Sequence, residues 1–500
     1  MDDFDVVVVG GGINGTGLAR DLAGRGWRVL LAEAEDLAQH TSSSSTKLIH
    51  GGLRYLETYE FSLVAKALQE REVLLRSAPH IMWPLRFVLP HAPHLRPAWM
   101  SRIGLFLYDH LARRELLPGS HGLRLTGTPY GDALRPEFTR GFVYSDGWVD
   151  DARCVVLNAM DARARGAEVL TRCAVTEARR GRDAWEVTLQ NGRRLRSRAL
   201  VNAAGPWAET FLRGQQLPAR GLRLVKGSHI VVAQRFAHDH AYIFQNPDGR
   251  IIFAIPYEGR FTLIGTTDVE LPHDQPPPSR AEISASEVDY LCEQASRYLA
   301  QPVRPADVLW SYAGIRPLLD EGGSASEVTR DYLLEADATG GAPLLNVWGG
   351  KLTTYRKLAE DGATQVGQLL GDARQPWTRG AHLPGGDLGP YGVDIGRFTA
   401  GLQARHPERP AAQVARLTRA YGRTAETLLA ARQGAEVAPG LFEAELHHLV
   451  EHEWARSAED VLWRRSKLGL HLPPGCADEV DAWMDAARAG EGTAPLVEPA

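Results

Sequence analysis

The residues best suited to chemistry begin at Gly10. Gly10-x-Gly12-x-x-Gly15 lets backbone N–H groups approach a pyrophosphate, because no Cβ stands in the way and the turn is tight. Ile13 and Asn14 open a helix there, and its positive end faces the negative charge. Glu33 stands where a carboxylate accepts from a ribose 2′-hydroxyl and disfavours a 2′-phosphate. A row of hydroxyls, Thr41-Ser42-Ser43-Ser44-Ser45-Thr46, runs directly into Lys47, His50, Arg54 and Tyr55. Two more glycine-centred turns follow apolar runs, at Gly205-Pro206-Trp207 and at Gly349-Gly350-Lys351-Leu352-Thr353. Lys351 beside a helix start suits negative charge on the N1/O2 side of a reduced flavin. The first glycine turn alone serves NAD and FAD equally. The three turns together imply a cofactor lying across several of them.

The elements that must position these groups follow from periodicity. Residues 4–9 form a β-branched, fully apolar run, too short for a helix and suited to a buried strand. Residues 14–24 have helical spacing and stop at Gly24 and Gly26. Val29-Leu30-Leu31 is the next strand, so this is a β-α-β unit ending at Glu33. Residues 61–76 read as an amphipathic helix. The runs 224–232, 251–255 and 261–265 read as strands, 271–278 as a proline-rich loop and 375–392 as a linker. Residues 393–490 read as mostly helical, and the last ten or so as a loose tail.

At 500 residues and 44 % apolar composition, about three globular domains are expected. A net charge of -5 is not that of a nucleic-acid binder. Cys154, Cys173, Cys292 and Cys476 form no CxxC pair, which points to neither zinc nor disulfides and to a reducing cytosol. No signal peptide and no bilayer-spanning run is read. Of 56 basic residues only Lys47, Lys66, Lys226, Lys351, Lys357 and Lys467 are lysines, and three of them adjoin Gly- or Ser-rich stretches. His448-Leu-Val-Glu451-His452 fits a zinc-peptidase pattern, but lacks a third ligand nearby. It reads as an amphipathic helix with surface histidines, so no metal is expected.

The chain resembles the FAD-dependent glycerol-3-phosphate dehydrogenase family, bacterial respiratory type. The resemblance rests on Gly10–Gly15, Ser45–Leu56, Lys226-Gly227-Ser228-His229, Gly265-Thr266-Thr267-Asp268, Gly314-Ile315-Arg316-Pro317 and Gly349–Tyr355, in that order and spacing. It implies an α/β fold in three parts. These are a discontinuous Rossmann-like FAD-binding domain (1–70, 146–225 and 330–372), an α+β substrate domain with an antiparallel sheet (71–145 and 226–329) and a helical C-terminal domain (385–500). It implies oxidation of sn-glycerol 3-phosphate to dihydroxyacetone phosphate, with electrons passing through FAD to a membrane quinone, and a homodimer. Calcium regulation is not expected.

The residues suit that chemistry. Oxidising a secondary alcohol needs a hydride acceptor and a base, for which His50 is the first candidate and His229 the second. A phosphate dianion needs planar cations; Arg54, Arg316 and Arg330 are candidates, with Tyr55 and Thr267 as hydroxyl donors. Arg316 alternatively covers the carbinol oxygen. Gly10, Gly12, Ile13, Asn14, Gly15, Glu33, Ser42, Ser43, Ser45, Lys47, Gly205, Trp207, Gly314, Gly350, Lys351, Leu352 and Thr353 are expected at the cofactor. Residues 81–114 combine arginines with Trp83 and Trp99, which suits peripheral attachment to the cytoplasmic face of an anionic membrane; burial against the substrate domain is the competing reading. An oxygen-using glycerol-3-phosphate oxidase, an amine-oxidising flavoprotein and a non-catalytic FAD-binding protein are the alternatives.

Overall fold

A computed structural model of the chain describes residues 2–56, 59–91, 97–273, 275–320 and 331–489. The β-branched start forms strand Asp2–Val9, with Val6, Val7 and Val8 wholly buried. Burial on both faces is why the run shows no alternation. The chain turns at Gly10, whose φ of 107° favours glycine, and enters helix Ile13–Gly24. Strand Val29–Ala32 then lies parallel to the first, with Val6 opposite Val29.

This unit is the centre of an eight-stranded sheet. Its order is Leu333–Asp337, Leu344–Trp348, Arg194–Asn202, Asp2–Val9, Val29–Ala32, Glu168–Leu170, with the hairpin Val175–Arg180 and Trp185–Leu189 joined to Arg194–Asn202. The pairs from Leu344–Trp348 to Glu168–Leu170 are parallel. Parallel strands need crossovers; helices Asp151–Ala164 and Tyr355–Leu369 pack beside Ile13–Gly24 on one face. Leu18, Leu22, Val155 and Leu358 meet there without solvent, and each such side chain contributes roughly 1.5–3 kcal/mol.

The second sheet has ten strands, antiparallel except where Ala241–Gln245 meets Met82–Pro90. Its long strands Leu222–Ala233 and Val308–Leu319 pair throughout, Lys226 opposite Ile315 and His229 opposite Tyr312. Helix Ala285–Ser296 covers one face; helices Phe61–Ser77 and Ala98–His110 cover the other. The sheet reaches beyond the expected domain limits. Arg140–Val149 runs past residue 146, Leu222–Ala233 starts before 226, and Leu48–Ile49 joins from within the first segment. Apolar periodicity marks a strand but not which sheet it joins.

The C-terminal part is helical, as expected, around Leu402, Val414, Leu446, Leu449, Val461 and Val480, with a short hairpin of Glu436–Ala438 and Leu441–Phe442. The surface reading holds for the exposed His452 but not for His448, which is half-buried and faces Tyr421 and Glu453; the neighbouring His447 is buried against Trp483. Among the described residues no cluster of three metal-ligating side chains occurs.

Candidate active site and cofactor cleft

Two cavities meet above the carboxyl ends of the parallel strands. The first, about 510 Å³, is lined by Gly10, Gly12, Ile13, Asn14, Glu33, Gly205 and Trp207. The second, about 290 Å³, is lined by Ser45, His50, Tyr55, His229, Gly314, Arg316, Lys351, Leu352 and Thr353. Ile13, Thr41, Ser42, Pro317, Gly349 and Gly350 border both. The result is one cleft running from the Rossmann turn to the junction of the two sheets.

The nucleotide end is built by backbone approach. A Cβ on Gly15 would lie 1.9 Å from the Gly10 carbonyl oxygen, so Gly15 makes the turn rather than lining the cleft. Helix Ile13–Gly24 has no side-chain cap within its own turn; instead the Ile13 N–H donates to Ser42 Oγ at 3.0 Å. Glu33 is tied by the N–H groups of Gly11 and Glu35. Burial raises its pKa, and those two bonds oppose the rise. Asn14 Nδ2 donates to the Gly349 carbonyl at 3.1 Å, while its Oδ1 is buried with no partner among the described residues. The side-chain-free turn, the open helix start and that orphaned acceptor fit a bound dinucleotide such as FAD.

The other end gathers the reactive groups. Arg316 donates to the Thr267 carbonyl at 2.9 Å and pairs with Asp268 at 2.7 Å. Its approach requires Gly227, where a Cβ would lie 2.5 Å from the guanidinium. The Lys351 ammonium stands 3.8 Å from the centre of the Tyr55 ring. The His50 N–H donates to Thr353 Oγ1 at 3.1 Å, which fixes the loop carrying that imidazole. His229 meets Thr46 Oγ1 through Nε2 at 2.9 Å and stacks on Tyr312. Burial, reinforced by the Lys47 and Arg316 charges, holds its pKa well below the usual histidine value. Both causes disfavour the charged imidazole there.

The hydroxyl row has a different use from the one expected. Ser45 Oγ donates to Asp151 at 2.7 Å and Ser43 Oγ to the His40 carbonyl at 3.2 Å. Lys47 is 1 % exposed, with its ammonium 2.7 Å from Asp151 and 3.1 Å from the Ser43 carbonyl. It braces the row from behind and does not line the cleft. Thr267 is 1 % exposed; its hydroxyl accepts from the Ser228 N–H and donates to Glu287, so it is not a substrate donor. Asp151 and Glu287 anchor these segments; Glu287 stands in a Ser284-x-x-Glu287 capping box, which marks a helix start but not its bond to Thr267. Arg330 and the Arg54 side chain lie outside the described residues.

A dinucleotide-length cleft that ends among cations and imidazoles, at the junction of a Rossmann sheet and a mainly antiparallel sheet, defines an oxidoreductase with a dinucleotide cofactor. The FAD dependent oxidoreductase family matches residues 5–356, and the C-terminal domain of alpha-glycerophosphate oxidase matches 377–487. Glycerol-3-phosphate dehydrogenase of Pseudomonas aeruginosa is 52 % identical over 94 % of this chain and 93 % of that protein. The chain belongs to the FAD-dependent glycerol-3-phosphate dehydrogenase family, and its cofactor is FAD. D-erythritol 1-phosphate dehydrogenase of Brucella abortus is 48 % identical over 97 % of this chain and 98 % of that one. The structure of glycerol-3-phosphate dehydrogenase from Bacillus halodurans, complexed with FAD, superposes with a TM-score of 0.76 at 28 % identity, covering 98 % of this chain and 91 % of that one.

Proposed function

We propose that this protein oxidises sn-glycerol 3-phosphate to dihydroxyacetone phosphate and passes the electrons to a membrane quinone, working as a homodimer at the cytoplasmic face of the membrane. The observation that carries the substrate reading is the convergence of Arg316, Lys351 and Tyr55 with His50 and His229 at one end of the FAD cleft. Bound FAD supplies the acceptor for the hydride leaving the carbinol carbon. The guanidinium of Arg316, oriented by Thr267 and Asp268, neutralises the phosphate dianion, and the Lys351 ammonium would offset negative charge on the reduced flavin. His50 takes the hydroxyl proton, with His229 as the second candidate.

The membrane reading draws on helix Ala98–His110. Trp99, Ile103, Phe106 and Leu107 are 64, 51, 53 and 40 % exposed on one side, while Leu105 and Tyr108 are buried on the other. Arg113 is exposed just beyond. Such a face suits the headgroup region of an anionic leaflet, where each arginine adds about 1 kcal/mol. Trp83 packs against Trp148 and under the Arg419 guanidinium instead. No helix among the described residues is long and apolar enough to cross a membrane.

The test is the visible spectrum of the holoenzyme under argon. Glycerol 3-phosphate bleaches the flavin bands at once, and a soluble quinone restores them faster than air does. Bleaching by D-erythritol 1-phosphate but not glycerol 3-phosphate transfers the reading to the longer polyol phosphate. Faster return with oxygen than with quinone makes the protein an oxidase. Persistent bands with both substrates overturn the reading. Flotation with anionic vesicles, lost in Trp99→Ser/Phe106→Ser, tests the attachment; protein that stays soluble at low salt overturns it. Light scattering tests the dimer.

A further inference from the structure

The segment from Ala34 to His40 forms one wall of the nucleotide cavity yet belongs to no helix or strand. Within the nucleotide-binding part it is held by a local turn between Asp36 and Gln39, by the Ala38 N–H on the Gly11 carbonyl at 3.3 Å, by the Arg172 N–H on the Glu35 carbonyl at 2.8 Å and by the Ser43 N–H on the His40 carbonyl at 3.2 Å, with Leu37 buried in the core. The C-terminal domain adds a further hold, at the Asp36 side chain. The Asp36 carboxylate, with no solvent exposure, accepts from Arg464 Nε at 2.7 Å and from both terminal nitrogens of Arg465, one at 2.7 Å. Arg172 stands 3.7 Å away and bridges to Asp460 at 2.7 Å.

The two arginines are consecutive, which in an ordinary helix would send them about 100° apart. They lie on a π-turn, Asp460–Arg465, and such wide turns recur where a helix is adapted to a task. Arg465 is itself fixed by the Glu453 carbonyl, 3.1 Å from its Nε. A bidentate, dry ion pair of this kind is rigid in direction. Asp36 lines the cleft while its carboxylate is taken up by the two arginines, so the lock acts on the wall through that residue.

We infer that Asp36, Arg464 and Arg465 are positioning residues for the cofactor. Through them the C-terminal domain keeps the nucleotide wall closed and retains FAD. The domain's task is then cofactor affinity, beyond any contribution to fold, and substrate chemistry does not depend on it directly.

The experiment follows FAD release from the diluted holoenzyme by the rise of free-flavin fluorescence. Arg465→Met and Asp36→Asn raise the FAD dissociation constant at least tenfold, Arg465→Lys less, and the double variant no more than the worse single one. With FAD saturating, KM for glycerol 3-phosphate stays within twofold. Arg163→Met is the control, because Arg163 also crosses to the C-terminal domain, on the carbonyls of Glu451 and His452, but touches no part of the wall; its FAD affinity is unchanged. Where Arg465→Met does not fold, the part-exposed Arg172→Met is read instead and shows a severalfold loss. A variant that melts earlier but holds FAD as tightly as the parent overturns the proposal, as does an equal loss in Arg163→Met.

Discussion

The phenol oxygen of Tyr108 accepts the Gly51 N–H at 2.8 Å and donates to Asp146 at 2.7 Å. Tyr108 is on the buried side of the helix whose other side exposes Trp99 and Phe106, and Gly51 follows His50. One hydrogen bond therefore joins that helix to the loop carrying the candidate base. Asp146 is held in turn by Arg71.

Tyr108→Phe removes both bonds while keeping the ring. The Gly51 N–H keeps only its interaction with the Asp146 carboxylate, and losing the two phenol bonds costs about 1–3 kcal/mol. The unfolding free energy in urea falls by that amount. The loop carrying His50 keeps its bond to Thr353 but loses the one at Gly51, so kcat/KM falls roughly tenfold, equivalent to about 1.4 kcal/mol of barrier. Lower stability with unchanged kcat/KM would confine the bond to the fold.

Arg316 is oriented by two oxygens on one side, the Thr267 carbonyl and the Asp268 carboxylate, and borders the cavity. Arg316→Ala lowers kcat/KM about 10²-fold or more, since an unpaired phosphate charge costs about 3 kcal/mol. Arg316→Lys recovers little, because a single ammonium cannot hold both oxygens and the substrate. Steady-state kinetics with glycerol 3-phosphate measures both; near-normal values would remove Arg316 from the site.

Lys47 and Asp151 form a pair with side-chain exposures of 1 and 0 %. Removing one partner strands the other charge out of water, at about 3–5 kcal/mol. Asp151→Asn and Lys47→Met each lower the thermal midpoint clearly. The double variant lowers it less than the sum, because no charge is left unpaired. Additive losses would mean that the two act separately.

Local features of the site were legible in the sequence. The turns at Gly10–Gly15 and Gly349-Gly350 each fall within one strand–turn–helix passage, and Glu33 directly follows the strand after the first of them, so spacing alone places all three. Lys47 was not legible: its partner Asp151 is 104 residues away, and a lysine in a serine-rich row looks the same whether it faces a cofactor or a buried carboxylate. Thr267 fails for the same reason, since the acceptor of its hydroxyl is Glu287 on a distant helix. The lock at Asp36 joins residues more than four hundred positions apart, and no periodicity reports that. The sheet limits were displaced because long strands cross between domains without a break in their apolar pattern.

Glu287 provides the clearest pH dependence. Burial pushes its pKa up, but hydrogen bonds from Lys226, Ser284 and Ser228 outweigh this and lower it to about 2, from an ordinary value of 4.5. The folded state thus binds this proton more weakly than the unfolded chain. Its stabilisation is complete above pH 4.5 and is lost as pH falls from there towards 2. Glu287→Gln lacks that component. The parent is therefore more stable than the variant at pH 7, by a difference that shrinks below pH 4.5 and is gone near pH 2. Because Glu287 also holds Thr267, whose carbonyl orients Arg316, the variant raises KM for glycerol 3-phosphate at neutral pH more than it lowers kcat. Urea unfolding across pH and steady-state kinetics measure the two effects. A pH-independent stability difference would assign the low pKa elsewhere, and an unchanged KM would separate Glu287 from the substrate pocket.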